Sequence, residues 1–162
     1  MTLVLLIALS LAATPDAVQR RPMGAPAQDA KTNATIALTV GASAYSFSGP
    51  AECEHLPKGS IYNTIAERWS VQQRDGARNL SLTLWKPLAG GESLITLSIA
   101  NAGKRQDVQT TGASKQGTGT VTFEPAGKGG VFTIAATSAQ GSKISGTIKC
   151  DAFTDAIAEG GD

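Results

Sequence analysis

Two thiols and one imidazole are the groups in this chain best suited to chemistry. The only cysteines are Cys53 and Cys150, and the only histidine, His55, follows the first of them by two positions. Together with the carboxylates of Glu54 and Asp151 they could hold a metal ion, but the closely spaced ligand pairs typical of zinc sites are missing. A cysteine nucleophile activated by histidine would need a reduced thiol. We therefore expect no metal, no cofactor and no catalytic set.

The favoured interpretation of the cysteine pair is a disulfide. An even pair of cysteines in an exported protein is normally oxidised. Cys53 shares its alternation phase with Tyr45 and Phe47, and Cys150 shares its phase with Ile148, so both side chains should point to the interior. Closing a loop of about a hundred residues should then stabilise the domain by about 4–5 kcal/mol.

A set of acidic residues would be drawn together by this disulfide: Glu52, Glu54, Asp151 and Asp155. Paired carboxylates can hydrolyse glycosidic bonds when one of them is buried enough to stay protonated. A solvated acidic patch is the favoured interpretation, and a hydrolase built on these carboxylates is kept as an alternative.

Trp85 is the most informative residue for binding. Leucines alternate through positions 80–84 and mark a buried face, so Trp85 falls on the opposite face beside Lys86. An exposed indole is a platform for a sugar ring or a partner protein. The alternative is that the strand bends before Pro87, in which case Trp85 would cap the core.

Two stretches of weak pattern, 52–66 and 101–119, are predicted to be long polar loops. Binding proteins often carry recognition residues on such loops or on an outer sheet face. The predicted binding surface consists of these residues: Trp85, Lys86, His55, Tyr62, Lys104 and Arg105.

The N-terminus is typical of an export signal. Residues 3–13 are apolar apart from one serine, and about ten such residues are too few to cross a bilayer, which needs roughly 20. Small residues at Ser10 and Ala12 suit a signal peptidase, although no Lys or Arg precedes the apolar run. We assign 1–13 to a signal peptide and the proline-containing stretch 14–31 to a flexible spacer. The mature chain is expected to be periplasmic or secreted, without a transmembrane span.

From Thr32 onward, apolar residues recur with a period of two, which predicts strands. Short turns rich in glycine, such as Asp75-Gly76, separate these strands and favour antiparallel pairing. Trp69 shares the phase of Val71 and is predicted to be core. The fold class is all-β: an antiparallel meander, or a two-sheet sandwich of immunoglobulin-like type, with about eight strands and one disulfide. The domain is placed at 32–153, followed by an acidic tail at 154–162.

The final hairpin resembles a known family in its layout. It runs from Gly130-Val131-Phe132-Thr133-Ile134 to Gly146-Thr147-Ile148-Lys149-Cys150, so that it begins at a glycine and ends at the second cysteine. The arrangement of signal, spacer and closing disulfide is similar to that of the mycobacterial lipoprotein antigens, which are small exported β-sandwich proteins. The resemblance implies an envelope protein, and it transfers no functional residues. The lipid-accepting cysteine of that family is absent here.

Composition narrows the functional classes. The formal net charge is +1 and there is no cluster of Lys and Arg, so a nucleic-acid partner is not expected. We expect an envelope or secreted binding module without enzymatic activity, with an envelope protein or a glycan as its partner. An inhibitor or accessory factor of an envelope hydrolase is the second hypothesis, and the carboxylate hydrolase is the third.

Overall fold

The computed structural model describes residues 31–156; the predicted signal peptide, the spacer up to residue 30 and the end of the predicted tail lie outside them. No helix occurs in this part of the chain, and hence none with the length and apolar character that a membrane span requires. The all-β prediction is confirmed. The strands are β1 (Thr32–Val40), β2 (Ser43–Ile61), β3 (Thr64–Asp75), β4 (Arg78–Pro87), β5 (Leu94–Asn101), β6 (Lys104–Gln109), β7 (Thr118–Ala126), β8 (Gly129–Thr137), β9 (Lys143–Cys150) and β10 (Thr154–Asp155).

The sheet follows the chain order almost throughout. Its strands lie in the order β6-β5-β4-β3-β2-β1-β9-β8-β7, with β10 paired in parallel to β2. The sheet curls until its edges nearly meet and nearly close a barrel, and there Gln109 and Gln116 exchange backbone hydrogen bonds of 2.6 and 2.9 Å. The consecutive pairing is that of the predicted meander, with one or two more strands than expected. A sandwich of immunoglobulin-like type is not confirmed, because the described strands form one hydrogen-bonded sheet.

The core occupies the inner face of this sheet. Alternation with period two places every second side chain there, and burying an aliphatic side chain contributes about 1.5–3 kcal/mol. Trp69 is buried, as predicted. The largest fully buried apolar side chains are Phe132, Ile36, Leu80, Leu82, Ile95, Leu97, Ile99, Ile134, Ile144, Ile148 and Val71.

The loop predicted at 52–66 is wrong. β2 continues through this stretch to Ile61, and a tight turn at Tyr62 and Asn63, with φ values of 48° and 62°, leads directly into β3. Pro57 lies within this part of β2, and a proline normally argues against the prediction of a strand interior. It falls where the β2–β3 register shifts between Leu56 and Gly59, so its missing N–H interrupts no regular ladder.

The loop predicted at 101–119 is wrong over its first part. Ala102 and Gly103 form a tight turn with φ values of 49° and 77°, and β6 follows at once. Only residues 110–117 lie between β6 and β7. The strand was missed because Val108 is the only apolar residue in it, so the apolar alternation by which strands are recognised is absent.

The disulfide joins Cys53 and Cys150, as the parity of both residues predicted. Both are buried in the core cluster, with Cα atoms 6.4 Å apart and 97 positions of sequence between them. The bond links β2 to β9, and these strands are the two neighbours of β1 in the sheet.

The residues after β9 cross the end of the sheet where the disulfide lies, which we call the disulfide end. The backbone N–H of Asp151 donates to the carbonyl of Asn33, and that of Phe153 donates to the carbonyl of Lys128, both at 3.0 Å. Phe153 then packs edge-on against Phe123, with ring centroids 5.6 Å apart. This short segment therefore covers the aromatic part of the core, and its continuation forms β10.

Candidate functional site

The six residues predicted as a binding surface do not form one surface. Lys104 lies at the opposite end of the sheet, where the β1–β2, β5–β6 and β8–β9 turns meet; we call this the hairpin end. Arg105 beside it binds the carboxylate of Asp107 at 2.8 and 3.0 Å. His55 lies on β2 near the disulfide, Tyr62 in the β2–β3 turn, and Trp85 with Lys86 near the end of β4.

His55 is held by an aromatic ring and a carboxylate. Its imidazole stacks on Trp69, with centroids 5.1 Å apart and planes 14° from parallel. Its Nε2 lies 2.7 Å from Oε1 of Glu67. Both thiols are consumed by the disulfide, so neither can ligate a metal with His55 or act as its nucleophilic partner. The histidine closes the edge of the aromatic core.

Two of the four acidic residues around the disulfide, Glu54 and Asp151, are engaged by separate partners. Oε2 of Glu54 accepts a hydrogen bond of 3.2 Å from Ser70 and lies 3.8 Å from the guanidinium of Arg68. The carboxylate of Asp151 lies 3.9 Å from the ammonium of Lys149. The arrangement is that of surface ion pairs, each of which contributes about 0–1 kcal/mol.

Trp85 lies on the outer face, as its parity predicts, and it is half-buried there. The guanidinium of Arg68 lies over its ring, 5.5 Å from the centroid. A Cβ added at Gly59 would lie 3.1 Å from Cζ3 of the indole and 2.8 Å from Cδ2 of Leu56, so the missing side chain leaves the space that the ring occupies.

Replacing Trp85 by alanine is expected to lower the free energy of unfolding by only about 1–2 kcal/mol, because the side chain is already partly exposed. Urea denaturation followed by circular dichroism measures this. Trp69→Ala is the comparison, since the buried indole should cost more. Loss of the folded state in Trp85→Ala would show that the residue is structural and would remove it from the binding surface.

A cavity of about 300 Å³ opens at the hairpin end. We call it the hairpin-end pocket. It lies between the β1–β2 hairpin and the β5–β6 hairpin, with one contribution from the β8–β9 turn. Its lining residues are Val40, Gly41, Ala42, Ser43, Ala44, Tyr45, Ile99, Asn101, Lys104, Gln106 and Ser142.

Polar side chains occupy inward positions around this pocket. On β5, Asn101 continues the inward phase of Ile99, and on β6 Gln106 lies opposite Ile99 in the register. Lys104, opposite Asn101, belongs to the same phase, and across the pocket Ser43 shares the phase of the buried Tyr45 on β2; both Lys104 and Ser43 are exposed at the rim. Along β2 and β5, the phase that is apolar through the core thus becomes polar at the hairpin end, and local departures of this kind are expected at functional sites.

Behind the pocket wall lies a second polar layer. The Tyr45 hydroxyl donates a hydrogen bond to Oε1 of Gln73, which is only 1% exposed. Burial raises the pKa of Tyr45, an effect that the neighbouring Arg78 opposes and Asp75 reinforces, so the hydroxyl keeps its proton at neutral pH. Nε2 of Gln73 has no hydrogen-bond partner within residues 31–156. A buried donor without a partner costs about 1–3 kcal/mol, which the fold tolerates at this end.

The polar side chains of the pocket can all donate hydrogen bonds. The Ser138 hydroxyl donates to Oε1 of Gln106 at 2.6 Å, which leaves the amide NH₂ of Gln106 available to a ligand. Lys104 forms none of the ion pairs found in the described part of the chain. The pocket therefore combines one cation and several neutral donors with apolar walls.

Of the pocket residues, only Lys104 belongs to the surface predicted from sequence. Ser43, Asn101 and Gln106 were missed. Ser43 and Asn101 carry a signal, because each is polar in the phase that is apolar along the rest of its strand, whereas the pattern of β6 gives no such signal for Gln106. No family model, curated protein or solved structure matches the chain. The functional proposal therefore depends on the geometry of the pocket.

Proposed function

We propose that this chain is an exported binding module without enzymatic activity, and that it takes a small ligand in the hairpin-end pocket. The observation that carries the proposal is the set of polar side chains at inward positions around a cavity of about 300 Å³. Ligand pockets have volumes of roughly 300–1,000 Å³ and combine apolar walls with a few placed polar groups.

The scaffold supports a preformed site. Tight turns connect the strands that line the pocket, and the β8–β9 turn is tied to β6 by the backbone hydrogen bond of 2.8 Å from Ala139 to Asp107. A site that is ordered before binding loses less conformational entropy when the ligand arrives. The apolar N-terminus and the disulfide together support export, since disulfides persist in oxidising compartments.

An inhibitor or accessory factor remains the second candidate because of an exposed apolar cluster. Tyr62, Ile65 and Leu88 are 65%, 50% and 56% exposed, and Leu88 is joined to Ile65 by a backbone hydrogen bond of 3.0 Å. Exposed apolar groups of this kind suit a protein partner. The cluster is separate from the pocket residues, so the two proposals are distinguishable.

Filling the pocket tests the first candidate. A library of small molecules is screened by the changes they cause in the amide NMR shifts of the ¹⁵N-labelled protein, and hits should move residues 40–45 and 101–106. Ser43→Leu places a larger side chain in the pocket and is expected to weaken every such hit by at least about tenfold.

Ser48→Leu is the matched control, since Ser48 is exposed on the same strand and lies outside the pocket. It should leave the affinities unchanged. Equal affinities in Ser43→Leu and Ser48→Leu would contradict the pocket proposal, and shifts confined to the surroundings of Tyr62 and Leu88 would favour the protein partner.

A further inference from the structure

We infer that the ligand of the hairpin-end pocket is a small monocarboxylate with a short apolar body. The inference rests on the proposed function and adds the chemical class of the ligand. It follows from the charge, the hydrogen-bonding groups and the walls of the pocket, taken in turn.

The charge of the pocket is a single positive charge. Lys104 is the only ionised residue among those that line it, and no acidic residue is among them. The neighbouring Arg105 is already neutralised by Asp107. A ligand with one negative charge balances Lys104, whereas a phosphate monoester, with a charge near −2, would leave about one charge unpaired. A cationic ligand would face Lys104 without a counter-charge.

The neutral donors suit the two oxygens of a carboxylate. An ionised carboxylate only accepts hydrogen bonds and has room for about four. Because Ser138 donates to the oxygen of Gln106, the amide NH₂ is the group that Gln106 can offer to a ligand, and the Ser43 hydroxyl and the Asn101 amide line the same pocket. Hydrogen bonds to a charged acceptor are stronger than those between neutral groups. The donor set therefore favours the ionised acid over the alcohol of the same length.

The walls set the character of the rest of the ligand. Val40, Ala44 and Ile99 line the cavity with aliphatic groups, and the volume of about 300 Å³ holds a short chain. Each methylene that enters such a wall should tighten binding by about fourfold until the cavity is full. A series of straight-chain acids should thus gain affinity and then level off.

Matched probes test the class of ligand. Hexanoate, 1-hexanol and hexylammonium share one chain and differ in the head group, and straight-chain acids from butanoate to decanoate vary the length. Dissociation constants come from NMR titration of the full protein, read at residues 40–45 and 101–106. We expect hexanoate to bind more tightly than 1-hexanol, and hexylammonium to bind weakest.

Lys104→Met removes the charge while keeping a side chain of similar length. It is expected to weaken hexanoate by about fivefold and to leave 1-hexanol unchanged. Lys143→Met is the matched control, because Lys143 is an exposed lysine at the same end that does not line the pocket. Its effect on hexanoate should be negligible.

The outcomes separate this inference from the proposed function. If neutral or cationic molecules bind the pocket as well as hexanoate does, or if Lys104→Met leaves hexanoate unaffected, the carboxylate class is wrong and the binding module stands. If no molecule of any class moves the pocket residues, both proposals fall.

Discussion

Replacing Cys53 and Cys150 together by alanine is expected to lower the free energy of unfolding by about 4–5 kcal/mol. The reason is the length of the loop that the bond closes, since 97 positions separate the two cysteines. Without the bond, the unfolded chain regains the conformations that the loop excluded. Domains of this size are stable by only about 5–15 kcal/mol, so this loss is a large share of the total. Guanidinium denaturation followed by circular dichroism measures it.

A reductant provides the control for this experiment. It should shift the midpoint of the native protein to that of the double variant and leave the midpoint of the variant unmoved. A double variant as stable as the native protein would show that the bond contributes nothing. Mass spectrometry of the natively purified protein provides a second test. If both sulfurs were found reduced, the disulfide and the argument for export that depends on it would be wrong.

Phe132→Ala is expected to cost about 3–5 kcal/mol, the range for truncating a large buried aromatic side chain. Phe132 is 0% exposed and belongs to the aromatic cluster at the disulfide end. Its ring centroid is 4.8 Å from that of Phe123 and 6.0 Å from that of Phe153. Truncation removes apolar surface and also leaves a cavity that rigid neighbours cannot fill. Urea denaturation measures this cost. The slope of the free energy of unfolding against urea concentration should be the same in the variant and the native protein.

Phe47→Ala is the matched control for this truncation. Phe47 is only partly buried against the core, so its loss should cost about 1–2 kcal/mol. Equal costs in the two variants would contradict the assignment of Phe132 to the fully buried core.

The parts of the fold that follow from local alternation could be predicted from the sequence. Leu80, Leu82 and Leu84 repeat with period two along β4, which the turn at Asp75-Gly76 joins to β3. All three lie on the inner face, as predicted. Trp69 was placed in the core by the same argument. The pairing of Cys53 with Cys150 needed only parity and the presence of two thiols, because there was no other partner to choose.

Closure of the sheet and the pocket could not be predicted in the same way. The pairing of β1 with β9 joins residues more than a hundred positions apart, and no local pattern encodes it. The pocket sets Ser43 against Gln106, which lie on hairpins separated by two intervening strands. Polar residues at inward positions looked like loops when the sequence was taken one segment at a time. They indicate a site only when the curvature of the sheet brings them together.

The adjacency of β1 and β9 imposes an order on the nascent chain. The first strand finds its second neighbour, and Cys53 finds its only partner, when β9 becomes available. Until then, β1 has one edge without its native partner, and exposed edges of this kind recruit strands from other chains. Contacts between distant positions also slow folding. A chain that lacks only the last ten residues of the domain is therefore still prone to aggregate during synthesis. Pairing of β9 with β1 removes the exposed edge late in folding.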